Sequence, residues 1–152
     1  MKGKMMVFLF AALMTSVMAY VPPTEPYMEN RALMAECLYD EGAEDEYEGD
    51  LYSEDINLSE DILDDVDELM DTMEDALEDM NGAMYGEGAP DYGAFNAAYL
   101  EFMTAYNQLQ GMWFYYAIQY YLEEGWDISD IFDWYHSVIQ RDISLCIGGE
   151  TS

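Results

Sequence analysis

Basic residues are nearly absent from this chain of 152 residues. No Lys or Arg lies between Arg31 and Arg141, whereas the whole sequence contains 33 acidic residues. Contacts to phosphates require cationic side chains, so the composition argues against direct nucleic-acid binding. Because the carboxylates cannot be neutralised from within the chain, the sequence predicts cations or a basic protein as partners.

Side chains for enzyme chemistry are also scarce. The chain has one His, no Gly-rich phosphate loop and no Ser motif of the kind found at a strand-to-helix turn. Two carboxylates can act as a glycosidase pair, but their abundance makes any one pair uninformative. We therefore expect a protein that is not an enzyme and has no catalytic residue.

An apolar run without polar residues is found at the N-terminus. Lys2 and Lys4 precede the apolar stretch 5–14, and small residues follow it before Tyr20. This order is typical of a secretory signal peptide over 1–19 and predicts a secreted, extracellular protein. The stretch is shorter than the roughly 20 residues that span a bilayer, so we expect no membrane span in the mature chain.

Cysteine is rare, and its placement is informative. Cys37 lies near the start of the mature chain and Cys146 near its end. In an oxidising compartment this predicts one disulfide within the chain, with a bridge between two chains as the alternative. On the chain-entropy model, closing a loop of this length stabilises the fold by about 4–5 kcal/mol.

Length and charge define the domain organisation. After cleavage two Arg remain against 33 carboxylates, a formal charge of 2 − 33 = −31. The remaining chain is long enough for one domain with a core. We expect an extended lead-in containing Pro over 20–28, a single helical domain over 29–147 with an acidic segment over 36–79, and a flexible tail over 148–152.

Apolar residues recur at helical spacing in four places, which predicts an all-α, compact four-helix bundle. One helix is short and is predicted over 29–39, and Gly42 is expected to terminate it. The stretch 40–55 is expected to follow as a mobile acidic loop, because its charge is not balanced by bases.

Three longer helices are predicted from apolar repeats of three and four residues. The first begins after Ser59 and ends at 81–82, the second begins at Asp91, and the third begins near Asp127 and leads to Cys146. Amides interrupt the second helix, so a membrane span is disfavoured there. The predicted core positions are Leu63, Val66, Met70, Met73, Leu77 and Met80; Phe95, Tyr99, Phe102, Tyr106, Leu109, Trp113, Tyr116 and Tyr120; and Ile128, Ile131, Phe132, Tyr135, Val138, Ile139 and Ile143.

The acidic segment 36–79 is the main candidate for function, with 21 carboxylates in 44 residues and no base. Hard cations such as calcium take several oxygen ligands. We therefore expect binding of calcium or other divalent cations at low affinity and high capacity, in an extracellular matrix or mineral. A merely solvated surface is one alternative, and an acidic face that docks a basic protein is another.

Residues 44–55 resemble an EF-hand calcium loop in their alternating acids, with Gly49 at the sixth place and Leu51 at the eighth. They depart from it because Glu44 stands where Asp is expected and Asp55 replaces the long Glu at the twelfth place. The metal ligands predicted from this stretch are Glu44, Glu46, Glu48, Asp50 and Asp55.

Two further residues carry smaller predictions. His136 follows Asp133 by three positions, which is half of a two-metal motif whose second half is missing, so we expect a packed core or rim histidine. Asn57 begins the sequon that ends at Ser59 and predicts a glycoprotein.

Fourteen tyrosines make oxidative crosslinking into a matrix a further alternative. Those on the helical seams are expected to lie in the core. The tyrosines expected to be free to react are Tyr20, Tyr27, Tyr47, Tyr52, Tyr85 and Tyr92.

Overall fold

The computed structural model describes residues 25–148, which are almost entirely helical and contain no strand. The predicted signal peptide over 1–19, its predicted cleavage point before Tyr20, residues 20–24 of the predicted lead-in and residues 149–152 of the predicted tail lie outside the described residues. The main helices are α1 (Glu25–Leu38), α2 (Glu60–Tyr85), α3 (Tyr92–Glu123) and α4 (Ile128–Gly148). The predicted all-α four-helix bundle is confirmed.

Helix α1 begins earlier than the sequence indicated. It includes residues 25–28, so the prediction of an extended lead-in was wrong for these four positions. Met28 is fully buried and lies on the same side of the helix as Ala35, which is also buried. Pro26 is compatible with this start because the first turn of a helix does not use its backbone N–H groups.

The acidic stretch after α1 is helical and not a loop as far as Leu51. A π-helix, Tyr39–Glu48, continues directly from α1, and one α-helical turn, Gly49–Leu51, follows it. The prediction of a loop was wrong here because apolar residues lie among the acids. Ala43, Tyr47 and Leu51 are fully buried and anchor the stretch against the bundle.

Gly42 lies inside the π-helix and does not end a helix. A Cβ atom at this position would stand 3.2 Å from Cε2 of Tyr47 and 3.3 Å from Oδ2 of Asp142. The missing side chain therefore allows the π-helix and α4 to approach each other closely.

Helices α2 and α3 form the largest packing interface of the bundle. Asp91 caps α3 as predicted, since its Oδ1 accepts a hydrogen bond of 3.0 Å from the backbone N–H of Ala94. Ser59 precedes α2 without a side-chain cap, and α2 runs past residues 81–82 to Tyr85. No described helix is apolar over a length sufficient to cross a membrane. The buried seam residues of this pair are Val66, Met70, Met73, Met80, Phe95, Tyr99, Phe102, Tyr106, Leu109 and Trp113.

Helix α4 buries only part of its predicted apolar face. Ile131, Val138 and Cys146 are buried, whereas Phe132 is 49% exposed. Cys37 on α1 and Cys146 on α4 form a disulfide with their Cα atoms 5.6 Å apart. The expected disulfide within one chain is thus present, and it joins α1 to α4.

Candidate cation-binding surface

The outer side of α2 carries eleven exposed carboxylates. A helix of 26 residues is about 39 Å long, so its carboxylates are spread along a ridge. Like charges four residues apart, such as Asp67 and Asp71, repel each other by a few tenths of a kcal/mol. We call this ridge the acidic face; its exposed residues are Glu60, Asp61, Asp64, Asp65, Asp67, Glu68, Asp71, Glu74, Asp75, Glu78 and Asp79.

The π-helix brings further carboxylates next to the acidic face. Burial raises the pKa of Glu48 above its ordinary value, and the charges of Asp67, Glu44 and Asp71 raise it further. Burial and the charge of Glu44 likewise raise the pKa of Tyr39 to about 12. A bound cation would relieve this repulsion between like charges, as would a proton.

The five ligands predicted from the EF-hand resemblance do not surround one point. Residues 44–51 are helical, so their side chains project around a helix axis and not into the centre of a loop. Glu46 binds Arg141, and Asp50 accepts a hydrogen bond of 2.9 Å from Nε1 of Trp113. Within residues 25–148, no three His, Cys, Asp or Glu side chains are grouped as ligands for one metal ion. The helical backbone of residues 44–51 thus differs from that of an EF-hand loop, and metal binding by the five residues stays a prediction.

A buried polar network attaches the π-helix to α3 and α4. The hydroxyl of Tyr47 donates to Oδ2 of Asp142 over 3.0 Å and lies 3.4 Å from the hydroxyl of Tyr106. Asp142 is only 1% exposed, and Nη2 and Nε of Arg141 donate to its Oδ1 over 3.1 and 3.3 Å. Arg141 also pairs with Glu46. One of the two arginines thus holds the acidic segment in its place.

Asp142 and Trp113 were not among the predicted site residues. Asp142 is one of 33 acids, and nothing in its local sequence marks it as buried. The sequence did offer one signal. A buried carboxylate requires a cationic partner, and Asp142 directly follows one of the only two arginines in the sequence. In this network, burial raises the pKa of Glu46, and Arg141 opposes that rise.

His136 is exposed on α4, so the prediction of a packed core or rim histidine was wrong. Helix α4 packs through the row formed by Ile131, Val138 and Cys146, and His136 lies on a neighbouring row. Asp133 is exposed as well. The apolar repeat of α4 is therefore broader than the face that the bundle covers.

The predicted glycosylation site and the predicted reactive tyrosines differ in their exposure to solvent. Asn57 is exposed in the turn before α2, in the left-handed region with a φ of 52°, and its glycosylation stays a prediction. Tyr47 is fully buried, so it was wrong to expect it to be free to react. Tyr27 is half-buried, and Tyr20 lies outside the described residues. The expected reactive tyrosines that are exposed are Tyr52, Tyr85 and Tyr92.

Comparisons of this chain with protein-family models, curated proteins and solved structures gave no match. The surface chemistry of the described residues is therefore the basis for proposing a function.

Proposed function

We propose that the mature protein is a secreted, non-catalytic protein that binds calcium or other divalent cations at low affinity and high capacity, in an extracellular matrix or mineral. The observation that carries this proposal is the acidic face, with eleven exposed carboxylates on one helix. A divalent cation between two carboxylates four residues apart replaces their repulsion with attraction to both.

The distribution of the carboxylates supports weak binding at many positions. They extend along a ridge of about 39 Å, and Glu44 and Glu48 of the π-helix join them near its middle, beside Asp67 and Asp71. Calcium tolerates irregular geometry and retained water, so it does not need a closed cage to bind weakly. The formal charge of −31 concentrates cations around the whole protein in addition.

Calorimetric titration of the oxidised mature protein with calcium at near-physiological salt tests this proposal. Magnesium serves as the competing ion, and far-UV circular dichroism reports on helix content. Two variants locate the binding. The face variant neutralises five acids of α2, and the control variant neutralises five exposed acids outside α2, with the same numbers of Asp and Glu. The face variant changes Asp71, Glu74, Asp75, Glu78 and Asp79 to their amides, and the control changes Glu123, Glu124, Asp127, Asp130 and Asp133.

We expect several calcium ions to bind weakly to the unaltered protein and fewer to bind to the face variant than to the control. Equal losses in the two variants would assign the binding to net charge and not to the acidic face. The absence of binding heat with calcium at near-physiological salt would contradict the proposal, and heat matched by magnesium would contradict a preference for calcium.

The second candidate function is docking of a basic protein on the same acidic face. It is favoured by the length of the ridge, which matches an extended basic segment better than a single ion. Salt distinguishes the two candidates, because docking through exposed charges weakens steeply as salt rises, while calcium ligation survives moderate sodium.

A further inference from the structure

Four aromatic side chains form a patch where α3 ends and α4 begins. The ring centroid of Tyr121 lies 5.2 Å from that of Tyr120, 4.7 Å from that of Trp126 and 5.0 Å from that of Trp134. Trp126 is 46% exposed, and the other three side chains are half-buried. We call these four side chains the aromatic patch. Solvent-accessible faces of Trp and Tyr rings attract cations through their electron density.

Carboxylates from three parts of the chain border the aromatic patch. Burial raises the pKa of Tyr121, and the charge of Asp50 raises it further. Desolvation also raises the pKa of Tyr120, and the charges of Asp55 and Glu124 raise it further. Asp50 accepts a hydrogen bond from Trp113, whose ring centroid lies 5.2 Å from that of Trp134. The backbone N–H of Glu124 donates over 3.1 Å to the carbonyl of Tyr120, so Glu124 directly follows the aromatic patch. Aromatic rings and negative charge therefore occur together at this end of the bundle.

The arginines of the described chain are used elsewhere. Cζ of Arg31 lies 5.3 Å from the ring centroid of Tyr27 and 5.8 Å from that of Tyr99. Arg141 pairs with Glu46 and Asp142. Arg31 is an example within this chain of a guanidinium placed against tyrosine rings. The aromatic patch has the same ring chemistry together with carboxylates, but it has no cation of its own among residues 25–148.

We propose that the aromatic patch docks an arginine side chain from a basic segment of a partner protein. A guanidinium group is planar and weakly hydrated, so it stacks on a ring while it donates paired hydrogen bonds to a carboxylate. A lysine ammonium is compact and strongly hydrated, and it has no planar face to stack on Trp126. The aromatic patch therefore selects arginine over lysine, a choice that the acidic face alone does not make.

This inference deepens the second candidate function, and it rests on that function in assuming a basic partner. Its test uses the oxidised mature protein and two peptides of equal length and charge, one with alternating Arg and Gly and the other with alternating Lys and Gly. Calorimetry at near-physiological salt measures both affinities. From the usual strength of a cation–π contact at an exposed site, we expect the Arg peptide to bind about fivefold more tightly than the Lys peptide.

Variants of exposed residues locate that preference. Trp126→Leu is expected to reduce the affinity ratio of the two peptides to about one, and Asp55→Asn with Glu124→Gln to lower the affinity for the Arg peptide. The matched control is Tyr85→Leu, an exposed aromatic at the far end of α2, which is expected to keep the fivefold ratio. Circular dichroism checks that all variants retain their helix content.

The outcomes separate this inference from the function on which it rests. Equal affinity for both peptides, or an unchanged ratio in Trp126→Leu, overturns the arginine site. If the face variant then binds both peptides more weakly, docking on the acidic face still stands. If neither peptide binds, both the arginine site and docking on the acidic face are overturned. Sedimentation of the protein alone tests a second copy as the occupant, and a dimer abolished by Trp126→Leu would also overturn the proposal.

Discussion

Replacing Tyr47 with Phe removes one hydroxyl from the core and leaves the ring in place. In the native chain this hydroxyl donates over 3.0 Å to the carboxylate of Asp142, which is 1% exposed. A hydrogen bond to a charged group contributes about 1.5–3 kcal/mol, so we expect Tyr47→Phe to lower the free energy of unfolding by about 2 kcal/mol. For a domain of this size, that loss lowers Tm by roughly 8 °C.

The matched control for this substitution is Tyr99→Phe. Tyr99 is as buried as Tyr47, but its hydroxyl has no hydrogen-bond partner among the described residues. Cζ of Arg31 lies 5.8 Å from the centroid of its ring. We therefore expect Tyr99→Phe to leave the free energy of unfolding within about 0.5 kcal/mol of the native value, or to raise it slightly.

Urea unfolding of the oxidised proteins, followed by far-UV circular dichroism at neutral pH and constant salt, measures both changes. Urea is preferred to guanidinium because it carries no charge and does not screen the carboxylates. The reasoning is refuted if Tyr47→Phe loses less than about 0.5 kcal/mol, or if Tyr99→Phe loses as much as Tyr47→Phe.

Three further predictions concern pH, the disulfide and tyrosine reactivity. The pKa of Glu48 is raised in the folded protein, so this group costs stability as the pH rises from its ordinary pKa of 4.5 through the raised value. Glu48→Gln is expected to raise the urea midpoint at neutral pH but to leave it unchanged at a pH below 4.5. An equal rise of the midpoint at the two pH values would contradict this prediction. Cys37→Ser with Cys146→Ser opens a loop closed over 109 residues and is expected to cost about 4 kcal/mol by urea unfolding; a loss below about 1 kcal/mol would argue against it. Mild nitration with peptide mass mapping is expected to modify Tyr85 and spare Tyr47, whereas nitration of Tyr47 in the native protein would show that the π-helix opens.

Much of the fold could be read from local sequence. The seams that include Met70 and Phe102 follow repeats of three and four residues, and such repeats report which side of a helix is apolar without reference to the rest of the chain. Asp91 was recognisable as a cap because capping depends on backbone groups within three residues. The acidic face of α2 was readable for the same reason, since charge and helical period together place its carboxylates on the outside.

The acidic stretch after α1 was decided only by tertiary structure. Its charge suggested a loop, but Tyr47 finds a buried partner in Asp142, 95 residues away, and Glu46 finds Arg141 at the same separation. No local pattern encodes such pairs, because burial and hydrogen bonding depend on what another helix presents. The aromatic patch is similar, since its rings lie in α3, α4 and the connection between them, while two of its three carboxylates, Asp50 and Asp55, come from a distant part of the chain. Sequence alone determined the four main helices and the negative charge, and the packing of distant side chains decided the conformation of the acidic stretch, where its charge is held and which rings it borders.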